Sequence, residues 1–446
     1  MQPRLEEFIA SPRRALITLS VPVVIAAVVQ TFYNIVDTIY VGHIGSEALA
    51  AISVAWPFFV VLVSVSQGLN SGIASRISRY LGEKRKKLAE NAALHGLIMA
   101  FLSSMALILL GLPSLGWLLS MGGAEGNVLD MAHDYMSLIL LGSLFMFTVF
   151  AINAIFSSQG DTKTPMKVNV SSLLMNIILT PFFIFYLGFG ISGAAISTVI
   201  SMSFALMLSI YYLRKDSYLD LRPQRFSYKK KIVSEIIKVG LPTTAMILVM
   251  SVYVIFLNKA MSYFSVDHLA AFGVVSRLES VAVLPVMGIS VGTMTLVGMF
   301  YGAKRFELMK KISIFAIGVG AALTIFVGAV FFVLASPIIA IFTSDADVIQ
   351  LGIPYLRIDV LTLPAIAVML IFSRIMQGLG KGYPGLVVNF LRVFGVIVPL
   401  SYIAVFMFGF DYLSIAWSMV AGGIVAIITS LIWLTFQIRR CTRHDT

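Results

Sequence analysis

The chain has 446 residues, 59% of them hydrophobic and 12% charged, a balance too apolar for an ordinary soluble domain. Each helical crossing of a bilayer needs about 20 apolar residues, so the length holds roughly a dozen crossings and leaves no room for a large soluble domain. The net charge of +11 belongs to loops and marks orientation, not nucleic-acid binding, while the single Cys441 and five scattered histidines exclude an internal disulfide and zinc-type spacing.

Apolar spans are predicted near residues 15–40, 50–75, 91–112, 131–157, 166–187, 191–213, 235–262, 270–299, 312–335, 350–373, 384–408 and 413–438, the pattern of an all-α membrane protein with twelve transmembrane helices. Span 1 is too long for a signal-peptide apolar region and is expected to remain as a helix. Within it, Gln30, Tyr33, Asn34 and Asp37 recur at i, i+3, i+4 and i+7, so they share one face, a polar stripe expected to line a cavity. Two readings of Asp37 stand on residues alone. It is a carboxylate at membrane depth, functional because burial unpaired is costly, or it lies about a turn from the outer surface and is simply solvated.

Asn153 in span 4, Asn176 and Thr180 one turn apart in span 5, and Thr198 in span 6 are neutral oxygen donors of the kind a Na⁺ site uses beside one carboxylate. Such residues also bridge neighbouring membrane helices without any ligand. Pro181 frees the carbonyl of Ile177 and adds a further available oxygen. The basic segment Arg214 to Lys238 reads as a cytoplasmic linker between lobes 1–213 and 239–446. Beyond it, span 8 carries Arg277 and Glu279, span 10 carries Tyr355, Arg357 and Asp359, and span 11 carries Arg392. Tyr355 and Asp359 are i and i+4 and share a face. The two acids are expected either to form ion pairs with Arg277 or Arg357, with Arg392 as a further partner, or to bind cation or substrate.

Apart from Lys259, Arg277, Arg357 and Arg392, every Lys and Arg lies at a terminus, in an even-numbered loop or, for Lys167 and Lys238, in the first turn of the span that follows one, and the odd-numbered loops have none. Both termini and the linker are therefore expected on the cytoplasmic side of a cell membrane, with Cys441 as a native reporter of that side.

The chain also repeats itself at an offset of 220 residues. Pro22 pairs with Pro242, Leu49-Ala50-Ala51 with Leu269-Ala270-Ala271, Gly68 with Gly288, Gly72 with Gly292, Gly82-x-Lys84-Arg85 with Gly302-x-Lys304-Arg305, and Tyr135 with Tyr355. Gln159-Gly160 matches Gln377-Gly378 at a shift of 218. Six crossings per half return the chain to the same side, so the expected architecture is two pseudo-symmetric six-helix lobes around a central cleft, related by an axis along the membrane normal.

The run Pro22…Gln30-x-x-Tyr33-Asn34-x-x-Asp37-Thr38…Gly42-His43-x-Gly45, with Leu49-Ala50-Ala51, Gly68…Gly72, Gly82-x-Lys84-Arg85 and Gln159-Gly160-Asp161, resembles the multidrug and toxic compound extrusion (MATE) family over essentially the whole chain. The resemblance implies efflux of amphipathic, mostly cationic organic compounds by antiport with Na⁺ or H⁺, with Asp37 as a cation-binding acid. Asn34, Asn176, Thr180 and Thr198 are expected beside it, Na⁺ being placed at Asp37, Asn176, Thr180 and Thr198. Gln30, Tyr33 and Asn153 are expected to line the cavity. Relatives also use a Tyr and an Asp like Tyr355 and Asp359, and an acid at the position of Glu279, for cation binding. That branch usually has a second acid where this chain has Thr180, which argues against a two-carboxylate proton relay there.

No Walker-type Gly-Lys-Ser/Thr run exists, so ATP is excluded as the direct driver. No cofactor, nucleic acid or obligate protein partner is expected, and membrane lipid surrounds the chain. The alternatives are a flippase for lipids or lipid-linked precursors, which requires a richly basic cleft, and an intramembrane enzyme, for which no nucleophile, base or metal constellation recurs.

Overall fold

The computed structural model describes residues 5–442; Arg4 and Arg443 of the basic termini lie outside the described residues. Among the described residues, twelve helices are long and apolar enough to cross a membrane: α1 Pro12–Gly42, α2 Ser46–Gly82, α3 Lys86–Met121, α4 Gly126–Ser158, α5 Lys163–Tyr186, α6 Gly190–Asp216, α7 Lys230–Ser262, α8 Val266–Gly302, α9 Phe306–Val333, α10 Ala346–Gly378, α11 Tyr383–Met407 and α12 Leu413–Cys441. No β-strand occurs among the described residues. Each predicted span coincides with one helix. Most helices run past their spans, because backbone hydrogen bonding continues through polar flanks where hydropathy has already fallen.

The internal repeat is visible in the backbone. Helices α2 and α8 are both 37 residues long, and each ends in the same turn. Lys84 and Lys304 both take φ 56°, the left-handed conformation that closes a helix by a bond from i to i−5. Here Arg85 N–H donates to Tyr80 O at 2.9 Å and Arg305 N–H to Phe300 O at 2.8 Å. The exits of α4 and α10 repeat it with Gly160 at φ 81° and Gly380 at φ 80°. Those glycines are again 220 residues apart, so the backbone keeps one offset throughout and the 218-residue match of Gln377-Gly378 is not the structural equivalence.

Contacts divide the chain into two units, one of Met1–Glu7 and Val21–Thr244, the other of Phe8–Ser20 and Ala245–Thr446. Helices α1 and α7 each change unit along their length, beside Pro22 and Pro242. In the first unit, the early part of α7 lies backbone to backbone on α2. A Cβ at Gly72 would stand 2.3 Å from Ile236 O, and one at Gly68 2.6 Å from Gly240 O, the close approach that small residues allow between membrane helices. Arg76 Nε and Glu235 Oε2 pair 2.5 Å apart along this seam. In the second unit the equivalent Gly292 faces Leu16, Leu19 and Ser20 side chains at 3.2 Å.

The segment before α7 is tied to α3 and to the exit of α4. Asn91 exchanges two bonds with the Ser227 backbone, at 2.8 Å and 3.1 Å. Glu90 accepts from Asp220 N–H at 3.0 Å, and Gln159 accepts from Tyr218 N–H at 2.8 Å. His95 Nε2 accepts Lys229 N–H at 3.0 Å. Its Nδ1 therefore carries the proton and donates to Asn91 O at 2.8 Å.

Three helices depart from regular α geometry beside polar residues. α5 becomes a π turn at Phe182–Tyr186, directly after Pro181; α10 tightens to a 3₁₀ turn at Val360–Thr362, directly after Asp359; α11 contains a π segment, Leu391–Ile397, that includes Arg392. Such interruptions re-register side chains and concentrate at functional positions.

Candidate functional site

Helix geometry places the polar stripe of α1 on one side, and its members then divide. Gln30 and Asn34 are exposed and bond each other, Nε2 to Oδ1, at 3.1 Å. Tyr33 and Asp37 are half-buried. Tyr33 and Tyr135 of α4 are electrostatic neighbours of Asp37, and Tyr33 lies near Thr198 of α6. Asp37 Oδ1 is enclosed by protein and has no hydrogen-bond partner. An enclosed carboxylate oxygen without a donor is costly, so this atom calls for a proton or a cation.

Beyond Thr198 the expected donors form a closed network. Asn176 Nδ2 donates to Thr198 Oγ1 at 3.3 Å, Thr180 Oγ1 donates to Asn176 Oδ1 at 3.0 Å, and Thr180 also bonds Ser197 Oγ at 2.8 Å. Thr180 is fully buried. These groups satisfy one another, which leaves the Asp37 oxygen as the acceptor still open. The all-oxygen set of one carboxylate, phenols, hydroxyls and an amide suits a small hard cation, which prefers oxygen ligands. Asn153 stands elsewhere. It is 18 residues beyond Tyr135 on α4, about 27 Å along the axis at 1.5 Å per residue, and it meets Asn169 at 3.4 Å.

The second unit holds a parallel cluster. Tyr355 and Asp359 share a face of α10 and are both buried. Tyr355 packs edge-on against Phe272 of α8, ring centroids 6.0 Å apart, and its hydroxyl points to Met419 Sδ at 3.4 Å. Asp359 Oδ1 and Tyr253 Oη of α7 are enclosed and lack hydrogen-bond partners. Glu279 and Arg392 are electrostatic neighbours of Asp359. The expected ion pairs with Arg277 and Arg357 are not formed. Both arginines are exposed, and Arg357 lies over the Phe332 ring, 5.5 Å from its centroid. Each arginine is two residues from an acid that turns inward, Asp359 buried and Glu279 half-buried, and i and i+2 point to different sides of a helix, so the arginine turns outward.

Two tyrosines join these clusters that were not among the expected site residues. Tyr253 is the repeat equivalent of Tyr33, and Tyr135 of Tyr355, so each unit holds a pair of tyrosines that are electrostatic neighbours. In each, one tyrosine has an acid four residues on: Tyr33 with Asp37, Tyr355 with Asp359. The signal was present in the repeat offset, where Tyr135 and Tyr355 already matched.

Comparison with known proteins agrees with this plan. A family model described as MatE matches residues 22–182 and 242–403. The multidrug export protein MepA of Staphylococcus aureus (strain MSSA476) is 24% identical over 94% of this chain and 93% of its own length. An FAD transporter of Shewanella oneidensis is 27% identical over 90% of each chain. Among solved structures, the outward-facing conformation of a multidrug resistance MATE family transporter of the MOP superfamily is 29% identical, covers 97% of each chain and has a TM-score of 0.93. A MOP superfamily transporter from Pyrococcus furiosus, whose binding pocket is described as reversed in polarity, is 29% identical over 97% of each chain with a TM-score of 0.92.

Proposed function

The chain belongs to the MatE family of multidrug efflux transporters, and from that premise we propose that it exports amphipathic, mostly cationic organic compounds across a cell membrane in exchange for Na⁺ or H⁺. The observation that carries this reading is the enclosed, unpartnered Asp37 Oδ1 beside two tyrosines and a neutral oxygen network. A bound cation or proton supplies what that oxygen lacks. Its departure restores the bare carboxylate, so occupancy is coupled to a change of access between the two sides. Na⁺ competes with H⁺ for the same oxygen, binding weakly where Asp37 is protonated and more tightly as pH rises. Both termini and the basic linker face the cytoplasm.

The flippase alternative is not adopted, because a pyrophosphate headgroup needs several cations and, of Arg277, Arg357 and Arg392, only Arg392 is buried. Export of a fluorescent lipophilic cation from liposomes, with Na⁺ and pH gradients set independently, tests the proposal. Wild type should respond to at least one gradient, and Asp37→Asn, which keeps size and hydrogen bonding but removes the charge, should fall to background while remaining folded. Export by Asp37→Asn at the wild-type rate would overturn it.

A further inference from the structure

The cluster around Asp359 differs from that around Asp37 by two charges. Glu279 stands where the first half has Phe59, and Arg392 where it has Ser172, whose hydroxyl bonds Ser201 O at 2.7 Å. Arg392 is 3% exposed and Asp359 2%, at membrane depth where charge is tolerated only when compensated. Among the described residues, no ion pair within 4.0 Å involves Glu279, Asp359 or Arg392. Arg392 Nε is enclosed without a partner, and its Nη1 reaches Met369 Sδ only at 4.0 Å. Position is nevertheless fixed. Asn389, one turn earlier, donates to Met246 O at 3.4 Å, which sets α11 against α7, and Tyr253 lies two turns further along α7. The π segment Leu391–Ile397 then determines the direction of the Arg392 side chain.

A guanidinium cannot give up its proton in a protein. Two carboxylates and one arginine therefore leave one negative charge, the same remainder as Asp37 alone. We propose that Arg392 is the fixed counter-charge that holds the Glu279–Asp359 cluster to a capacity of one positive charge, so that each half of the chain takes up a single proton or monovalent cation. This rests on the reading that the buried acids exchange cations. Arg392 thus determines how much charge the cluster accepts, without being the group that binds it.

The test counts protonated carboxyls directly, by the infrared carbonyl band of purified protein in Na⁺-free neutral buffer. The measurements are made in an Asp37→Asn background, with Asp359→Asn identifying the band. The cluster should show one protonated carboxyl with Arg392 present, and the band should roughly double in Arg392→Gln. It should vanish in Glu279→Gln, where Arg392 and Asp359 already balance, and return in the double variant Glu279→Gln/Arg392→Gln. Arg392→Lys should match the parent. A band unchanged by Arg392→Gln, or retained in Glu279→Gln, overturns the inference. If Arg392→Gln alone does not fold, Glu279→Gln against the double variant decides. The band is read without transport, so loss of export in the liposome assay and failure of this charge count are separate results.

Discussion

The two acid clusters share a pair of tyrosines but not the helix that carries the acid. In the first half Asp37 follows Tyr33 on α1. In the second, Asp359 follows Tyr355 on α10, the counterpart of α4, and the position equivalent to Asp37 is Leu257. Around Asp37 the neutral donors Asn176, Thr180, Thr198 and Ser197 satisfy each other, whereas around Asp359 the atoms Tyr253 Oη and Arg392 Nε remain unpartnered. A repeat thus conserves backbone and aromatic framework while charge moves within it. The first half stores one charge among hydroxyls, and the second stores charge against charge.

The sharpest way to break this comparison is at Asp359. Asp359→Asn should reduce export of the fluorescent cation to near background with expression intact, and adding Arg277→Gln or Arg357→Gln should restore nothing, since both arginines face outward. Recovery in either double variant would reinstate the ion pairs. A smaller effect is expected from the tyrosines. Tyr135→Phe removes a phenol beside Asp37 and should weaken cation binding about tenfold, the scale of one hydrogen bond to a charged group, with Tyr355→Phe weakening only the second half's binding and leaving its charge count unchanged. Packing gives a third contrast. Gly72→Val drives a side chain into the Ile236 backbone and should cost about 1–3 kcal/mol, the usual range for overpacking, seen as a lower Tm. Gly292→Val meets movable side chains and should cost less; equal losses would remove the distinction. Smallest is Asn91→Ala, which deletes two bonds to Ser227 and should speed proteolysis of residues 217–229 with little change in export.

The twelve spans and the repeat were legible because hydropathy, proline and glycine placement and the left-handed helix exits all act locally. Charge partners were not. Arg277 and Arg357 read as partners because spans 8 and 10 set them at a similar depth to Glu279 and Asp359, yet a spacing of two residues from an inward-facing acid turns each arginine away. Asn153 was grouped with Asp37 by chemistry, although its distance along α4 separates it from Tyr135 by about 27 Å at 1.5 Å rise per residue. Tyr253 is not legible as a site residue, because a tyrosine in an apolar span reads as packing until its repeat partner stands beside a carboxylate. Cys441 is 7% exposed, so its silence towards an impermeant thiol reagent reports burial. Sidedness needs a cysteine at an exposed linker position such as Tyr228, in a Cys441→Ser background, and it should label only after permeabilisation.

The most direct test of the Asp37 account is Na⁺ titration of purified wild type and Asp37→Asn at one acidic and one alkaline pH. Wild type should bind Na⁺ more tightly at the alkaline pH, as the proton leaves the enclosed oxygen, and Asp37→Asn should lose that pH-dependent component. If wild type shows no Na⁺ response at either pH while a pH gradient alone drives export, the Na⁺ assignment is lost and Asp37 is a proton site. If Asp37→Asn titrates like wild type and exports at its rate, the carboxylate is not the coupling group.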